Sequence, residues 1–387
     1  MYNLKVVIIG AGMGGLATAI ALRQAGYQVE IYDRVSELRP AGAGISLWSN
    51  GVKVLNRLGL GKELARIGGQ MKRMEYRSHT GEQLTDISLA PLVERVGQPP
   101  YPVARTDLQQ MLLDAFGAGN VQLNSKCIEV KQDADSVTAI FADGRRATAD
   151  VLIGADGTHS TVRRHVLGYA PERRYVGYVN WNGLVPVSEA LAPKHSWTIF
   201  VGEHKRASLM PVGGDRFYFF FDVPLPKGTV SEPEQRRSEL AGFFKGWAKP
   251  VQMLIQQLEP EKTNRVEIHD IEPLESLVRG RVALLGDAGH STAPDLGQGG
   301  CQAMEDAEVL TRYLLTTTLS VEDALKRYEA ERKERTADVI LRARKRSNMT
   351  HGKDPEKTKQ WYEQLKQEDG GEILDAISKT ILAGPLH

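Results

Sequence analysis

The spacing of apolar and polar residues divides the chain into stretches of different character. Residues 4–9 and 151–154 are short apolar runs, each followed by a glycine-containing turn and a helical pattern. Such runs are typical of strands buried on both faces of a parallel sheet. Between residues 174 and 225 the pattern becomes alternating and aromatic-rich, and it predicts strands at residues 174–187, 196–203, 205–212 and 216–224.

The C-terminal part of the chain has helical spacing. Ser320 followed by Asp323 is a capping start, and it predicts a helix over residues 321–346. Residues 355–381 are amphipathic, and we expect them to pack over the rest of the molecule.

The first glycine-rich segment has the spacing of a dinucleotide-binding turn. Gly10 permits a tight turn after the strand, Gly12 allows close approach of a pyrophosphate, and Gly15 allows close packing of helix on strand. The helix that follows offers free N–H groups to phosphate. Asp33 ends the next strand, 28–33, where an acid can hold a ribose hydroxyl.

Two later segments carry related signals. Residues 149–157 run from an apolar strand into the turn Asp156-Gly157, with Ser160 and Arg163 at the start of a predicted helix. Residues 285–300 contain Gly286-Asp287, and then the glycine-rich loop 297–300 before another helix. Each segment alone is a weak signal, but the three together favour one nucleotide-binding site.

Composition excludes several classes of protein. The chain has 387 residues, a formal net charge of +1 and 25% charged residues, which argues against a nucleic-acid binder or a polybasic membrane surface. Two cysteines form no disulfide framework and favour a cytoplasmic location. Residues 6–22 are uncharged, but their glycines, the absence of a basic start and Arg23 argue against a signal peptide. We expect no bound metal, because no ligand motif occurs.

These motifs, in this order, resemble those of the FAD-dependent aromatic hydroxylases, the group A flavoprotein monooxygenases. In that family the Asp-Gly segment serves FAD and the nicotinamide cofactor, and the later aspartate binds the ribityl chain of FAD. The loop 297–300 and the helix after it would direct N–H groups at the flavin, where a helix N-terminus stabilises negative charge. The resemblance implies that FAD is held by Gly10, Gly12, Gly14, Gly15, Asp33, Arg34, Ser46, Arg105, Cys127, Asp156, Asp287, Gly297, Gln298, Gly299, Gly300 and Cys301.

The resemblance also implies a fold. It is an α/β fold with a discontinuous Rossmann-like FAD-binding domain, a β-sheet substrate domain and C-terminal helices. The expected bounds are 1–75, 100–173 and 265–320 for the FAD-binding domain, 76–99 and 174–264 for the substrate domain, and 321–387 for the helical region.

Strings outside the flavin motifs resemble the bacterial FAD-dependent urate hydroxylases within this family. They occupy residues 178–183, 202–206, 217–226, 299–307 and the tail 350–354. The implied reaction is hydroxylation of urate at C5 to 5-hydroxyisourate, with O2 as oxidant and NADH or NADPH as reductant.

Candidate substrate residues follow from strand parity and from this resemblance. If Val212 opposes Arg216 in a hairpin, Arg206 and Met210 share a face with Tyr218. We expect Arg206 to hold the urate anion through its paired donors, Tyr218 to orient the substrate, and Asn180 to read a carbonyl and ring N–H.

Other functions fit the same motifs. One is hydroxylation of a different aromatic, such as a benzoate-type phenol. Flavin-dependent halogenation is disfavoured, because the Trp-x-Trp-x-Ile-Pro string is absent and Trp181 and Trp197 stand alone. A flavin-binding sensor without turnover is a further alternative.

Overall fold

The computed structural model describes residues 4–38 and 43–386. In chain order the strands are β1 (Lys5–Ile9), β2 (Gln28–Tyr32), β3 (Gly44–Ile45), β4 (Arg73–Ser78), β5 (Gln83–Ser88), β6 (Val103–Ala104), β7 (Val121–Gln122), β8 (Cys127–Gln132), β9 (Val137–Phe141), β10 (Arg146–Ala149), β11 (Val151–Gly154), β12 (Arg174–Pro186), β13 (Ser196–Gly202), β14 (Lys205–Val212), β15 (Arg216–Pro224), β16 (Asn264–Asp270), β17 (Val278–Arg279) and β18 (Val282–Leu284).

Helices alternate with the first strands and dominate the C-terminal part. They are α1 (Met13–Gln24), α2 (Ser49–Arg57), α3 (Gly61–Ile67), α4 (Ala90–Val96), α5 (Arg105–Phe116), α6 (Thr161–Leu167), α7 (Arg236–Phe243), α8 (Lys249–Gln257), α9 (Asp287–His290), α10 (Gly299–Leu314), α11 (Val321–Thr350), α12 (Pro355–Gln367) and α13 (Gly371–Leu382).

One sheet has the arrangement of a dinucleotide-binding fold. Its order is β17-β18-β11-β1-β2-β7, and the pairs from β18 to β7 are parallel. Val6, Val7, Ile8, Val151 and Leu152 in its two central strands are fully buried, as the uninterrupted apolar runs predict. The predicted Rossmann-like domain is confirmed.

A second, larger sheet carries the aromatic strands. Its order is β16-β12-β15-β14-β13-β4-β5. Val212 pairs with Arg216, so the predicted hairpin register is confirmed, and Met210 lies opposite Tyr218. One face of the sheet packs Phe219 and Phe221 against Phe244 and other apolar residues of the α7–α8 region.

The C-terminal helices cover both parts of the molecule. Ser320 caps α11 by accepting a hydrogen bond from the Asp323 N–H, as predicted. Buried apolar residues of α11 and of α12, Leu325 and Leu365 among them, belong to the same core as the parallel sheet. Among the helices of the described residues, none is long and apolar enough to cross a bilayer.

The sheet boundaries differ from the expected domain boundaries at two points. β4 begins at Arg73, so a division at residue 75 would cut a strand of the large sheet. β16 pairs with β12, so residues 264–270 also belong to this sheet rather than to the FAD-binding part. Both segments lack the aromatic alternation on which the expected division rested.

Candidate active site

Three strands bring the sequence motifs to one edge of the parallel sheet. Ile9 of β1 pairs with Gly154 of β11, and Gly154 pairs with Leu284 of β18. The strands are parallel, so the segments that follow them leave the sheet at its carboxyl edge, where ligands bind in open α/β sheets. The glycine loop (residues 10–15), Asp156 and Asp287 therefore converge, although almost three hundred residues separate the first from the last.

Gly10 and Gly15 of the glycine loop serve the packing of the protein itself. Gly10 has a φ of +111°, and a Cβ there would lie 2.2 Å from the Ala155 carbonyl oxygen. A Cβ on Gly15 would lie 2.0 Å from the Gly10 oxygen. Gly14 likewise packs α1 against Leu285 and Ala303. These glycines make close helix–strand contact possible, as predicted for Gly15.

Gly12 faces open space. Its φ is −72°, which any residue can adopt, and a Cβ there would have no heavy atom within 4 Å. α1 begins here with no side-chain cap and no acid in its first turn. The amides of this turn are thus available to an anion.

A cleft of about 340 Å³ opens beside this turn. That volume is within the range of small-molecule sites, roughly 300–1,000 Å³. Many predicted FAD ligands line it, namely Gly10, Gly12, Asp33, Arg34, Arg105, Cys127 and Asp156. Asp33 accepts a hydrogen bond from the Ala11 N–H at 2.7 Å, which fixes the carboxylate at the wall of the cleft.

The Asp156 carboxylate has a structural task that we did not predict. It accepts hydrogen bonds from the Ser160 hydroxyl and from the N–H groups of Thr161 and Val162, so it caps α6. Burial raises the pKa of Asp156. The contribution of this residue to the cleft therefore lies in its backbone and in the turn it holds.

Neither cysteine has the lowered pKa of a reactive thiol. Cys127 lines the cleft, and burial together with the Asp156 charge raises its pKa to about 12. Cys301 is fully buried against Trp48 and Gly51, and burial raises its pKa to about 12. Because both thiols stay protonated, non-covalent binding of the cofactor is the expectation.

The second half of the site is formed by α9, the loop 297–300 and α10. Asp287 is exposed, whereas Leu285, Gly286 and Ala288 are buried, and its carboxylate accepts no hydrogen bond from residues 4–38 and 43–386. α10 begins without a side-chain cap and without an acid in its first turn. A carboxylate without a hydrogen-bond donor in these residues thus stands beside an uncapped helix N-terminus.

The side chains around this loop mostly face the protein. Gln298 accepts a hydrogen bond from Asn50 at 3.0 Å, and Gly297, with a φ of +62°, lies against Ser46 and Trp48. Ile45 fills the space beside Gly300. The Gln298 side-chain oxygen and the Cys301 thiol are thus engaged or buried within the protein, whereas backbone N–H groups at the start of α10 remain available to a ligand.

These features fit FAD. Open space above Gly12 and the free amides of α1 suit a pyrophosphate, Asp33 suits a ribose, and Asp287 suits the hydroxyls of a ribityl chain. The amides at the start of α10 suit a ring that becomes negatively charged on reduction.

A cluster of buried charges lies where the large sheet meets the loop before α10. Arg206 Nε donates to Asp222 Oδ2 at 2.9 Å, and Arg206 Nη2 donates to Asp295 Oδ1 at 2.9 Å. Tyr178 donates its hydroxyl hydrogen bond to Asp295 Oδ2 at 2.8 Å. The Asp222 and Asp295 side chains are 1% and 0% exposed, so both carboxylates depend on Arg206 for their compensation.

The ionisation of this cluster follows from its charges. Burial by itself lowers the pKa of Arg206, but the carboxylates of Asp222 and Asp295 raise it above its ordinary value. Burial raises the pKa of Asp295, yet the Arg206 guanidinium and the Tyr178 hydroxyl bring it below its ordinary value. The guanidinium is therefore a permanent cation, and it keeps Asp295 ionised.

Of the other two predicted substrate residues, Asn180 is engaged within the protein and Tyr218 is not. The Asn180 amide donates to Asp222 at 2.6 Å and accepts from Asn182 at 2.7 Å, so both its ends are engaged within the protein. We therefore revise the role of Asn180 from substrate contact to support of Asp222. Tyr218 packs beside Gly44, and its hydroxyl has no hydrogen-bond partner in the described part of the chain.

Sequence reasoning missed the partners of Arg206. The hairpin register that placed Arg206 also places Asp222 directly opposite it, so this partner could have been predicted from the sequence. Asp295 and His351 lie 89 and 145 residues away from Arg206, and no local pattern connects them with it.

The fold and this site together define a flavin-binding α/β protein. Residues 3–343 match the family described as FAD binding domain. An FAD-dependent urate hydroxylase of Klebsiella pneumoniae is 54% identical over 384 residues, which is 99% of this chain and 100% of that protein. One from Mycolicibacterium vanbaalenii is 51% identical over 386 residues, 99% of this chain and 98% of that protein.

A solved structure agrees over the same length. The crystal structure of Klebsiella pneumoniae HpxO complexed with FAD and uric acid has a TM-score of 0.97 and 53% identity, with 100% of this chain and 98% of that chain covered. The chain belongs to the FAD binding domain family of flavoprotein monooxygenases. It is an FAD-dependent enzyme with NAD(P)H as reductant.

Proposed function

We propose that this enzyme hydroxylates urate at C5 to give 5-hydroxyisourate, with NAD(P)H and O2 as co-substrates. The observation that carries the proposal is the buried cluster of Arg206, Asp222 and Asp295 between the large sheet and the flavin loops. Full-length likeness to urate hydroxylases supports it. The proposed location is the cytoplasm.

FAD when bound supplies electron transfer and oxygen activation, so the protein has to hold and orient the substrate. Arg206 Nη1 has no hydrogen-bond partner in residues 4–38 and 43–386, while Nε and Nη2 are fixed by carboxylates. The free edge of the guanidinium can donate to an oxygen or nitrogen of urate.

Tyr218 contributes a neutral donor. Burial and the nearby Asp222 raise the pKa of its hydroxyl, so that it remains protonated at neutral pH. It shares a sheet face with Arg206. A planar, oxygen-rich substrate could thus accept hydrogen bonds from both side chains, and the apolar neighbourhood of Phe220 limits access of water.

The two carboxylates set the orientation of Arg206 and also its selectivity. Because Asp222 and Asp295 already neutralise the guanidinium, a ligand whose negative charge is localised on a carboxylate has little net attraction to the site. Urate, whose charge is delocalised over the ring, depends more on directional hydrogen bonds. We therefore expect urate to be preferred over benzoate-type phenols.

The test is the oxidation of NADH by the FAD-loaded enzyme. Urate should stimulate it and yield a C5-hydroxylated product, identified by its ultraviolet spectrum and its mass, whereas salicylate and 4-hydroxybenzoate should stimulate it weakly. Faster hydroxylation of a phenolic acid would refute the substrate assignment but leave the monooxygenase class intact. Without urate, slow NADH oxidation is the baseline.

A further inference from the structure

The C-terminal segment reaches the charged cluster around Arg206 from the side opposite the sheet. The family match ends at residue 343, and α11 continues to Thr350. His351 follows directly and is only 8% exposed. It belongs to residues 350–354, none of which is part of the flavin site described above.

His351 contacts three members of the cluster. Its ring stacks on Tyr178 with centroids 3.9 Å apart and an interplanar angle of 27°. Its Nε2 lies 3.4 Å from Arg206 Nη2 and 3.7 Å from Asp295 Oδ1. Thus one imidazole lies against the arginine, one of its carboxylates and the tyrosine that donates to that carboxylate.

The hydrogen bonds of the ring indicate which nitrogen carries the proton. His351 Nδ1 lies 3.2 Å from the backbone oxygen of His204, and only a protonated nitrogen can donate there. In the neutral ring, Nε2 then has a free lone pair, and it can accept from Arg206 Nη2. His351 is in this arrangement a third acceptor for the guanidinium, beside Asp222 and Asp295.

The turn before Arg206 is held by the same segment. Glu203 and His204 have φ values of 48° and 63°, which residues other than glycine seldom adopt. The His204 N–H donates to the Tyr362 hydroxyl at 3.1 Å, and Gly352 packs against the His204 ring. Because strain persists only where neighbours enforce it, residues 351–362 fix the start of β14.

We propose that His351 is a positioning residue of the hydroxylation reaction, which holds the Arg206 guanidinium so that its free edge faces the substrate. The proposal rests on the proposed function for the identity of that substrate. It makes the segment after residue 343 a determinant of substrate orientation, since this part lies outside the portion matched to the family.

Substitutions of His351 by glutamine and by asparagine test the two hydrogen bonds of the imidazole one at a time. His351→Gln can place an amide oxygen near the position of Nε2 and so preserve the acceptor for Arg206. His351→Asn can place an amide N–H near Nδ1 and so preserve the bond to His204. His351→Phe keeps the ring stack on Tyr178 and removes both bonds. Lys353→Gln, at an exposed residue of the same segment, is the matched control.

The kinetic experiment measures kcat/KM for urate and the moles of urate hydroxylated per mole of NADH consumed, with each variant loaded with FAD. We expect His351→Phe and His351→Asn to lose about tenfold in kcat/KM and to oxidise NADH without hydroxylating urate. The kcat/KM of His351→Gln should stay within about threefold of the wild-type value. FAD content should be the same in every variant, and Lys353→Gln should keep the kcat/KM and the coupling ratio of the wild type.

Several results would overturn the proposal. Wild-type kinetics in His351→Phe would do so, as would rescue by asparagine rather than glutamine, which would assign His351 to the turn alone. Crystals of FAD-loaded His351→Phe give a readout that needs no turnover. An Arg206 guanidinium in its original position there would contradict the positioning role. Absence of urate turnover in the wild-type enzyme would instead refute the proposed function.

Discussion

Gly12 and Gly15 lie three residues apart at the start of α1 but have different neighbours. A side chain on Gly15 would meet the Gly10 backbone, whereas one on Gly12 would meet only open space. Gly15 is therefore required by the protein fold, and Gly12 by the ligand. This difference separates cofactor binding from folding in an experiment.

We expect Gly12→Val to fold with an unchanged melting temperature in the absence of FAD, but to lose bound FAD, because the valine occupies the path of the pyrophosphate. Gly15→Ala should be less stable even without FAD, since backbone must move. Calorimetry and the flavin absorbance of purified protein test both. Full FAD occupancy in Gly12→Val would show that the first loop does not bind the pyrophosphate.

Arg206→Gln tests the charged cluster. The substitution removes a donor for urate, worth about 1.5–3 kcal/mol, or roughly ten- to more than a hundredfold in kcat/KM. It also leaves Asp222 and Asp295 buried without a cation, so we expect a lower melting temperature. Arg206→Lys should rescue little of the activity, because an ammonium cannot hold two carboxylates and keep a free planar edge.

The result is read from urate turnover and FAD content measured on the same preparations. Pairing Arg206→Gln with Asp222→Asn removes one unpaired charge and should recover stability but not activity. Near-normal urate turnover in Arg206→Gln would place the anion site elsewhere, with Tyr218 as the next residue to test.

At the scale of elements, α11 joins the flavin side of the molecule to the substrate side. It spans about 45 Å at 1.5 Å per residue. Near its middle, Arg332 is 1% exposed and donates to Glu305 at 2.6 Å and to Asp306 at 2.7 Å on α10. At its end, His351 contacts Arg206. The helix therefore fixes the distance between the two sites.

Replacing Arg332 should cost much more stability than replacing a surface arginine. Arg332→Met removes a buried cation from Glu305 and Asp306 and leaves them only Arg335 and His290 as ion-pair partners, so we expect a loss of about 3 kcal/mol. The matched control is Arg312→Met, whose ion pair with Glu331 is solvent-exposed and contributes roughly 0–1 kcal/mol. Urea unfolding followed by circular dichroism measures both. Equal losses would contradict the importance of the buried network.

Local patterns predicted the elements well and the charged contacts poorly. The bounds of β14 and β15 were correct, because Gly213–Asp215 and the alternation of aromatic residues are signals within a few residues. Spacing also predicted that residues 10–15 and Asp33 belong to one site, and Gly10, Gly12 and Asp33 line the same cleft. By contrast, Asp295 and Arg332 act through partners on distant elements, and only the assembled fold brings these charges together.

At the scale of the whole molecule, several buried carboxylates make the free energy of unfolding depend on pH. Burial raises the pKa values of Glu305, Asp306 and Asp295, but neighbouring cations bring all three below their ordinary values, which are 4.5, 3.8 and 3.8. A carboxylate with a lowered folded pKa stabilises the protein above its unfolded pKa, and this stabilisation is lost as the pH falls through the folded pKa.

We therefore expect the free energy of unfolding to be steady near neutral pH and to fall steeply as the pH drops below about 4.5. Denaturant titrations at a series of pH values test this. A stability that rises with acid would contradict the ionised state of the three carboxylates. The Arg332→Met variant should show a shallower dependence, because one of the cations responsible is gone.

The parallel sheet has a consequence for how the cell makes this enzyme. β1 is synthesised first, yet its neighbour β11 begins at residue 151 and β18 at residue 282. At a translation rate of roughly 5–20 residues per second, the earliest strand waits many seconds for the last parallel partner. Until then the nascent chain has an unpaired sheet edge and an incomplete cleft, so the flavin can be loaded only after β18 has been synthesised, and chaperone demand should fall once β18 has paired with β11.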